Sequence, residues 1–255
     1  MAVIETHLEE ATQLIRRERR RSVDERQAFR AFRSAVADVR PTATAGTTDG
    51  PLTTKSLTYG SASPSLDTIR REYERTVMAV PHYEEEYGDT YTESVTVEFG
   101  EDVAAAITGG STLTPNLRQA VVAGATAAME ERTEFVSLLD TESDSVEAVR
   151  TTVHSAVETL RALDDEPLSK RSFENLTRLR ESVVSVRDRL DEAAVRRQTT
   201  LRSHRRNLSN RVPDVTVYLY EPLAVKYPAL NALASAREIV EAALRRLDRQ
   251  LIAAL

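Results

Sequence analysis

Apolar residues recur every seven positions over stretches too long for any strand. Between residues 2 and 40, Leu8, Ile15, Ser22, Phe29 and Val36 form one heptad series. Ile4, Ala11, Glu18, Glu25, Phe32 and Val39 form a second. A seven-residue repeat places both series along one stripe of a helix, so this segment is expected to be a single long helix. Its middle is polar at Glu18, Ser22 and Glu25, and is expected to pack weakly or open to solvent. The run Arg16 to Arg21 over that middle reads as a solvated helix face.

A second long pattern occupies about 169–210. Leu176, Val183 and Leu190 are sevens, a four-residue step leads to Ala194, and sevens resume at Leu201 and Leu208. Such a stutter relaxes supercoiling locally. At 1.5 Å per residue this helix would span roughly 60 Å. Shorter helices are expected between these two. One starts at Ser63–Pro64 and runs to about 80. One starts at Thr114–Pro115 and runs to about 140. A third follows a capping box at Thr141 and Asp144 and uses Val146, Val149, Val153, Ala156, Leu160 and Leu163. A last helix begins near 227, with Leu230, Leu233, Val240, Leu244, Leu247 and Leu251 as its stripe. Residues 41–63, rich in Pro, Gly, Ser and Thr, read as a flexible linker or loop. The expected fold is therefore all-α: an elongated helical bundle of two long coiled-coil-like helices and several shorter packed ones, in a single domain over 1–255.

Composition narrows the chemistry. With eight glycines and nine prolines in 255 residues, little is left for a many-turned β fold. The absence of cysteine excludes disulfides and thiolate metal sites. The chain holds 31 arginines but only Lys55, Lys170 and Lys226, against 40 acids. Arginine in place of lysine, with excess acid, points to a salt-loving host. The start of the chain lacks the charged-then-apolar order of a secretory signal, and the run Tyr218–Ala236 is interrupted by Glu221, Pro222, Lys226 and Pro228. The expectation is a cytoplasmic protein without a membrane span.

Three segments stand out as candidate sites. Val80 to Asp102 holds eight carboxylates, three tyrosines and His82, with no lysine or arginine. Tyr83, Tyr87 and Tyr91 are four apart and would share a helical face. Val95, Val97 and Phe99 alternate as in a strand, but Val95 and Phe99 also fit a helix that stops at Gly100, and helix is preferred because no second strand is apparent to pair with it. The second segment, 193–212, carries Arg196, Arg197, Arg202, Arg205, Arg206 and Arg211 with no acid. This basic patch suits phosphate. Neutralising six phosphates, however, makes affinity fall roughly 10⁵-fold for a tenfold rise in salt. A nucleic-acid partner is therefore disfavoured in a salty cell, and the basic helix end is expected to dock on the acidic stretch, within one molecule or across a dimer. The third segment centres on Tyr218, Tyr220 and Tyr227 and reads as an interface or a helix corner. Candidate interaction residues are thus His82, Tyr83, Tyr87, Tyr91, Tyr220 and Tyr227.

No motif for nucleophilic catalysis or phosphate cradling is present, and His7, His82, His154 and His204 are scattered. The sequence implies no catalytic residue, no metal ligand and no cofactor, and names no substrate or reaction. The leading expectation is a non-catalytic helical interaction or scaffold protein that binds a protein partner or itself. The alternatives are a nucleic-acid-associated regulator using 196–211, and a carboxylate-dependent enzyme centred on His82 and Glu85.

The stretches "VPHYEEEYGDTYTESVTVEFGEDVAAAI", "LTPNLRQAVV", "EERTEFVSLLDTESDSV" and "YLYEPLAVKYPALNALA" resemble an uncharacterised family of haloarchaeal helical proteins, a domain of unknown function. Its most specific part is H-Y-x-x-E-Y, His82 to Tyr87. The resemblance covers most of the chain outside 41–63 and implies a halophilic archaeal host and a mainly helical fold. It implies no activity.

Overall fold

Long helices need an apolar stripe to bury, and the computed structural model, which describes residues 2–41, 64–164, 166–207 and 214–254, shows where each stripe goes. In chain order the helices are α1 (Ala2–Asp38), α2 (Pro64–Thr76), α3 (Tyr83–Glu86), α4 (Tyr91–Phe99), α5 (Glu101–Thr108), α6 (Pro115–Asp164), α7 (Phe173–Asn207), α8 (Val215–Leu219) and α9 (Pro228–Ala253). A 3₁₀ turn at Leu168–Lys170 precedes α7. The fold is all-α, with no strand among the described residues. The 41–63 linker lies, from residue 42 on, outside them.

The chain forms two compact units, residues 1–19 with 137–255 and residues 20–136. The divisions fall inside α1 and inside α6. In the 20–136 unit, α1, α2, α4, α5 and the start of α6 close on Phe29, Phe32, Val36, Ile69, Tyr73, Val95, Ile107 and Val121. Tyr73 is the centrepiece. Its ring meets Phe32 edge-on at 5.1 Å and Tyr91 at 5.7 Å, an arrangement favoured by the ring quadrupoles. Its hydroxyl bonds Ser94 Oγ at 2.8 Å, so this buried polar atom is satisfied. In the other unit, α7 packs along α9, whose buried face alternates Ala229, Ala232, Ala236 and Ala243 with Leu233, Val240, Leu244 and Leu247. The alanines let the two helices approach closely. Arg180–Asp248 and Arg237–Asp191 pairs tie the rims.

Helix ends are closed by side chains. Thr90 and Glu93 form a capping box at the start of α4, and Gly100, at φ 81°, ends it in a conformation glycine adopts without strain. Thr114 Oγ1 accepts from Leu117 N at 3.1 Å at the start of α6. Arginines take the other ends. Arg118 donates to the carbonyls of Ala37 and Val39 where α1 finishes, at 3.1 and 3.5 Å. Arg171 donates to those of Ala162 and Leu163 at the end of α6, both at 3.3 Å. Each satisfies last-turn carbonyls that have no partner inside their own helix.

Three expectations need correction. No helix starts at Thr141, because α6 runs unbroken for 50 residues. Thr141 Oγ1 bonds back to Ser137 O at 3.0 Å, the alternative to capping open to a threonine inside a helix. The polar middle of α1 is not loose, since Ser22 is buried and Glu25 is held by partners described below. Finally, Tyr83, Tyr87 and Tyr91 do not share a face. Gly88, at φ 59°, turns the chain between α3 and α4, and Tyr91 opens a new helix.

Gly124 on α6 sits under the ring of Phe99 on α4, so that a Cβ there would overlap Phe99 Cδ1. Alanine improves helix propensity by about 1 kcal/mol, but overpacking costs typically 1–3 kcal/mol. Gly124→Ala is therefore expected to destabilise by about 1 kcal/mol in urea unfolding. In a Phe99→Leu background the same change should be neutral or stabilising.

Candidate functional site

The heptad seams do not carry apolar residues alone. On α6 the buried stripe runs Leu139, Glu142, Val146, Val149, Val153, and Glu142 is fully buried. On α7 it runs Leu190, Ala193, Arg197, Leu201, His204, which brings an arginine and a histidine inward at seam spacing. The two stripes meet. Arg197 grips Glu142 with both terminal nitrogens, at 2.7 and 2.6 Å. His204 Nε2 lies 2.9 Å from Oε2, and the hydroxyl of Tyr220 donates to Oε1 at 2.5 Å. Arg197 also donates to Ser145 Oγ at 3.1 Å.

Burial alone would raise the pKa of Glu142. The hydrogen bonds from His204 and Arg197, the Arg197 charge and the Tyr220 hydroxyl outweigh it and hold the carboxyl at about 2. Burial and the same carboxylate push the Tyr220 phenol well above its ordinary range. With Glu142 ionised and able only to accept, His204 donates from Nε2.

The 20–136 unit repeats the recipe. Glu25 on α1 accepts from the Tyr87 hydroxyl at 2.9 Å and lies 2.9 Å from His82 Nε2. Its second oxygen accepts from Arg132 Nε at 3.1 Å. Arg132, on α6, also makes a two-pronged pair with Glu98 on α4, at 3.0 and 2.7 Å, and lies 4.7 Å above the Phe29 ring. Burial would lower the Arg132 pKa, but bonding to Glu98 and the charges of Glu98 and Glu25 raise it instead. Beside this cluster is a cavity of about 50 Å³ that Tyr83, Ser94, Asp89 and Glu98 also line. Among the described residues no group of three His, Asp or Glu side chains is placed to hold a metal ion together.

The expected site residues divide sharply. His82, Tyr83, Tyr91 and Tyr220 are buried and unavailable to a partner, because each fills an interior position. Tyr87 is 46% exposed and Tyr227 half-buried. Tyr227 accepts from Arg205 at 3.3 Å. The expected basic patch loses Arg197, 2% exposed, to Glu142. Arg196 pairs with Glu192, and Arg205 with Asp214. Arg202 is exposed, the Arg206 side chain carries no description, and Arg211 lies outside the described residues. The acidic stretch finds counterions in its own unit, with Arg21 on Glu85 and Glu86 and Arg132 on Glu98. The basic helix end likewise uses Glu142, Glu192 and Asp214 of its own unit. Sequence reasoning missed Glu142, Arg132 and Glu98. The signal for Glu142 was a charged residue three after Leu139 and four before Val146.

A separate groove of about 580 Å³ runs between α1 and α6 in the first unit, floored by Leu8 and Val153 and walled by Gln13, Arg16, Glu147 and Thr151.

Among protein families, residues 6–244 match the one described as a domain of unknown function (DUF7260). No curated protein and no solved structure matches the chain.

Removing one member of a buried pair leaves the other uncompensated, at a cost of about 3–5 kcal/mol. Arg197→Met should lower stability to denaturant by that amount, whereas Arg196→Met should change it by less than about 0.5 kcal/mol. Because folding lowers the Glu142 pKa from 4.5 to about 2, its contribution is complete above pH 4.5 and disappears as pH falls through 2. That contribution is roughly 3 kcal/mol. Acid titration of stability should show this loss in the native chain and a flatter profile in Glu142→Gln.

Proposed function

The chain belongs to that family of domains of unknown function, and we propose that it is a non-catalytic helical interaction protein of a halophilic archaeal cytoplasm, offering the α1–α6 groove to a helix of a partner protein. The observation that carries this reading is the closure of both acid–base clusters. Glu142, Arg197, His204 and Tyr220 are spent on one another in the interior, as are Glu25, Arg132, Glu98 and His82, with the exposed Tyr87 at their edge. A general base must reach a substrate proton. These histidines reach carboxylates of their own chain instead.

The groove supports the binding half of the proposal. It is long enough to follow two turns of each helix, from Leu8 to Arg16 and from Glu147 to His154. Its apolar floor with charged walls is the pattern that receives an amphipathic helix. The excess of arginine over lysine and the 40 acids support the salty habitat. At about 1 M salt the Debye length is roughly 3 Å, so contact there must rest on apolar surface and close pairs.

The test is capture of a tagged full-length chain from its host in native salt, beside a variant with Gln13→Arg and Thr151→Arg. Both positions are exposed, so the fold is expected to survive. A defined protein that is retained by the native chain and lost by the variant is the expected result. Retention of nucleic acid instead, or of nothing, overturns the proposal.

A further inference from the structure

The hydroxyl of Tyr83 is buried and has no hydrogen-bond partner. Such an atom is costly to leave bare and in native proteins is usually explained by a bound water or ion. It lies beside Ser94, whose Oγ is already engaged with Tyr73, and it shares the 50 Å³ cavity with Asp89 and Glu98. The volume is ample for one small occupant, since about 10–15 Å³ suffices for a water.

Charge decides what kind. Three carboxylates line the cavity, Glu25, Asp89 and Glu98, against one guanidinium, Arg132. Glu25 and Glu98 share Arg132, and His82 touches Glu25 alone. Even a protonated His82 leaves one negative charge over. Arg21, the next cation, is taken by Glu85 and Glu86. Asp89 is half-buried and makes no ion pair or hydrogen bond among the described residues. Burial, with Asp89 and Glu98 nearby, raises the Tyr83 phenol against the lowering influence of the neighbouring Ser94 hydroxyl, so its oxygen stays protonated and neutral.

We infer that this cavity is a binding site for a monovalent cation, potassium or ammonium, held by the Asp89 carboxylate, the Tyr83 hydroxyl oxygen and the outer face of Glu98. The tilted rings of Tyr83 and Tyr87, 5.6 Å apart, add a negative aromatic surface. A divalent ion would overshoot the single negative charge left over, and magnesium would also demand a near-ideal octahedron that two carboxylates and a phenol do not supply. A water would satisfy Tyr83 but leave Asp89 without a counter-charge. The ion joins the turn between α3 and α4 to the Glu25–Arg132–Glu98 cluster.

Crystals of the full-length protein grown with rubidium in place of potassium test this directly. One anomalous peak within bonding distance of Tyr83 Oη and an Asp89 oxygen is expected. In parallel, the unfolding midpoint is measured in equal concentrations of potassium, ammonium and choline chlorides. Choline is too large for the cavity and should stabilise least, and the ranking of the other two identifies the preferred ion. Asp89→Asn should weaken the potassium dependence at least about tenfold through loss of the charge. Tyr83→Phe should abolish the peak. If Tyr83→Phe does not fold, the Asp89→Asn comparison decides alone, at a half-exposed position. Density without anomalous signal, equal stability in all three salts, or an unchanged Asp89→Asn would overturn the inference.

Discussion

An ionised carboxylate cannot sit in an apolar helix bundle without compensation, and this chain puts one in each of its two units. Desolvation of such a group costs several kcal/mol even after relaxation. The answer is the same both times: an arginine for charge, a histidine and a tyrosine for the remaining lone pairs. Glu142 draws them from α7 and from the residue after α8, Glu25 from α6 and from the segment before and after α3. Each network fixes the register of its helices, because a slide of one turn, about 5.4 Å, would strand a buried charge. Apolar seams of Leu, Val and Ala tolerate such slides far better, so a buried tetrad is a specificity device in a bundle with monotonous packing.

The sequence made the helices legible, because a 3.6-residue pattern is written in every long element. Gly100 as the end of α4, Pro64 and Pro115 as starts and the stripe of α9 were all readable from local chemistry. What was not readable was the partnering of polar seam residues. Glu25 belonged to a heptad series and was taken as a weak point, and Glu142 was hidden behind a capping-box pattern at Thr141. Arg197 belonged to a run of arginines whose surface role looked sufficient. In each case the deciding fact is a contact between residues 55 to 107 positions apart, and no local pattern encodes it.

The histidines illustrate the same limit in reverse. Scattered in sequence, His204 looked unrelated to any site, and His82 drew notice only for the acids beside it. In space each completes a carboxylate's coordination. The tyrosines behave likewise: Tyr73 and Tyr220 are anchors of the interior, so a tyrosine-rich sequence here describes how an alanine-rich bundle fills its larger gaps.

The arginine excess has a structural meaning. Arg118 and Arg171 finish helices where glycine would ordinarily do so, and Arg132 and Arg197 each hold a carboxylate by two prongs. A lysine conserves charge at every one of these places but offers a single point where a fork is required. On any scale that counts only charge, arginine to lysine is the mildest of exchanges. In this chain its severity would vary from nothing on the outer faces to a broken framework at four positions, so its composition records architecture.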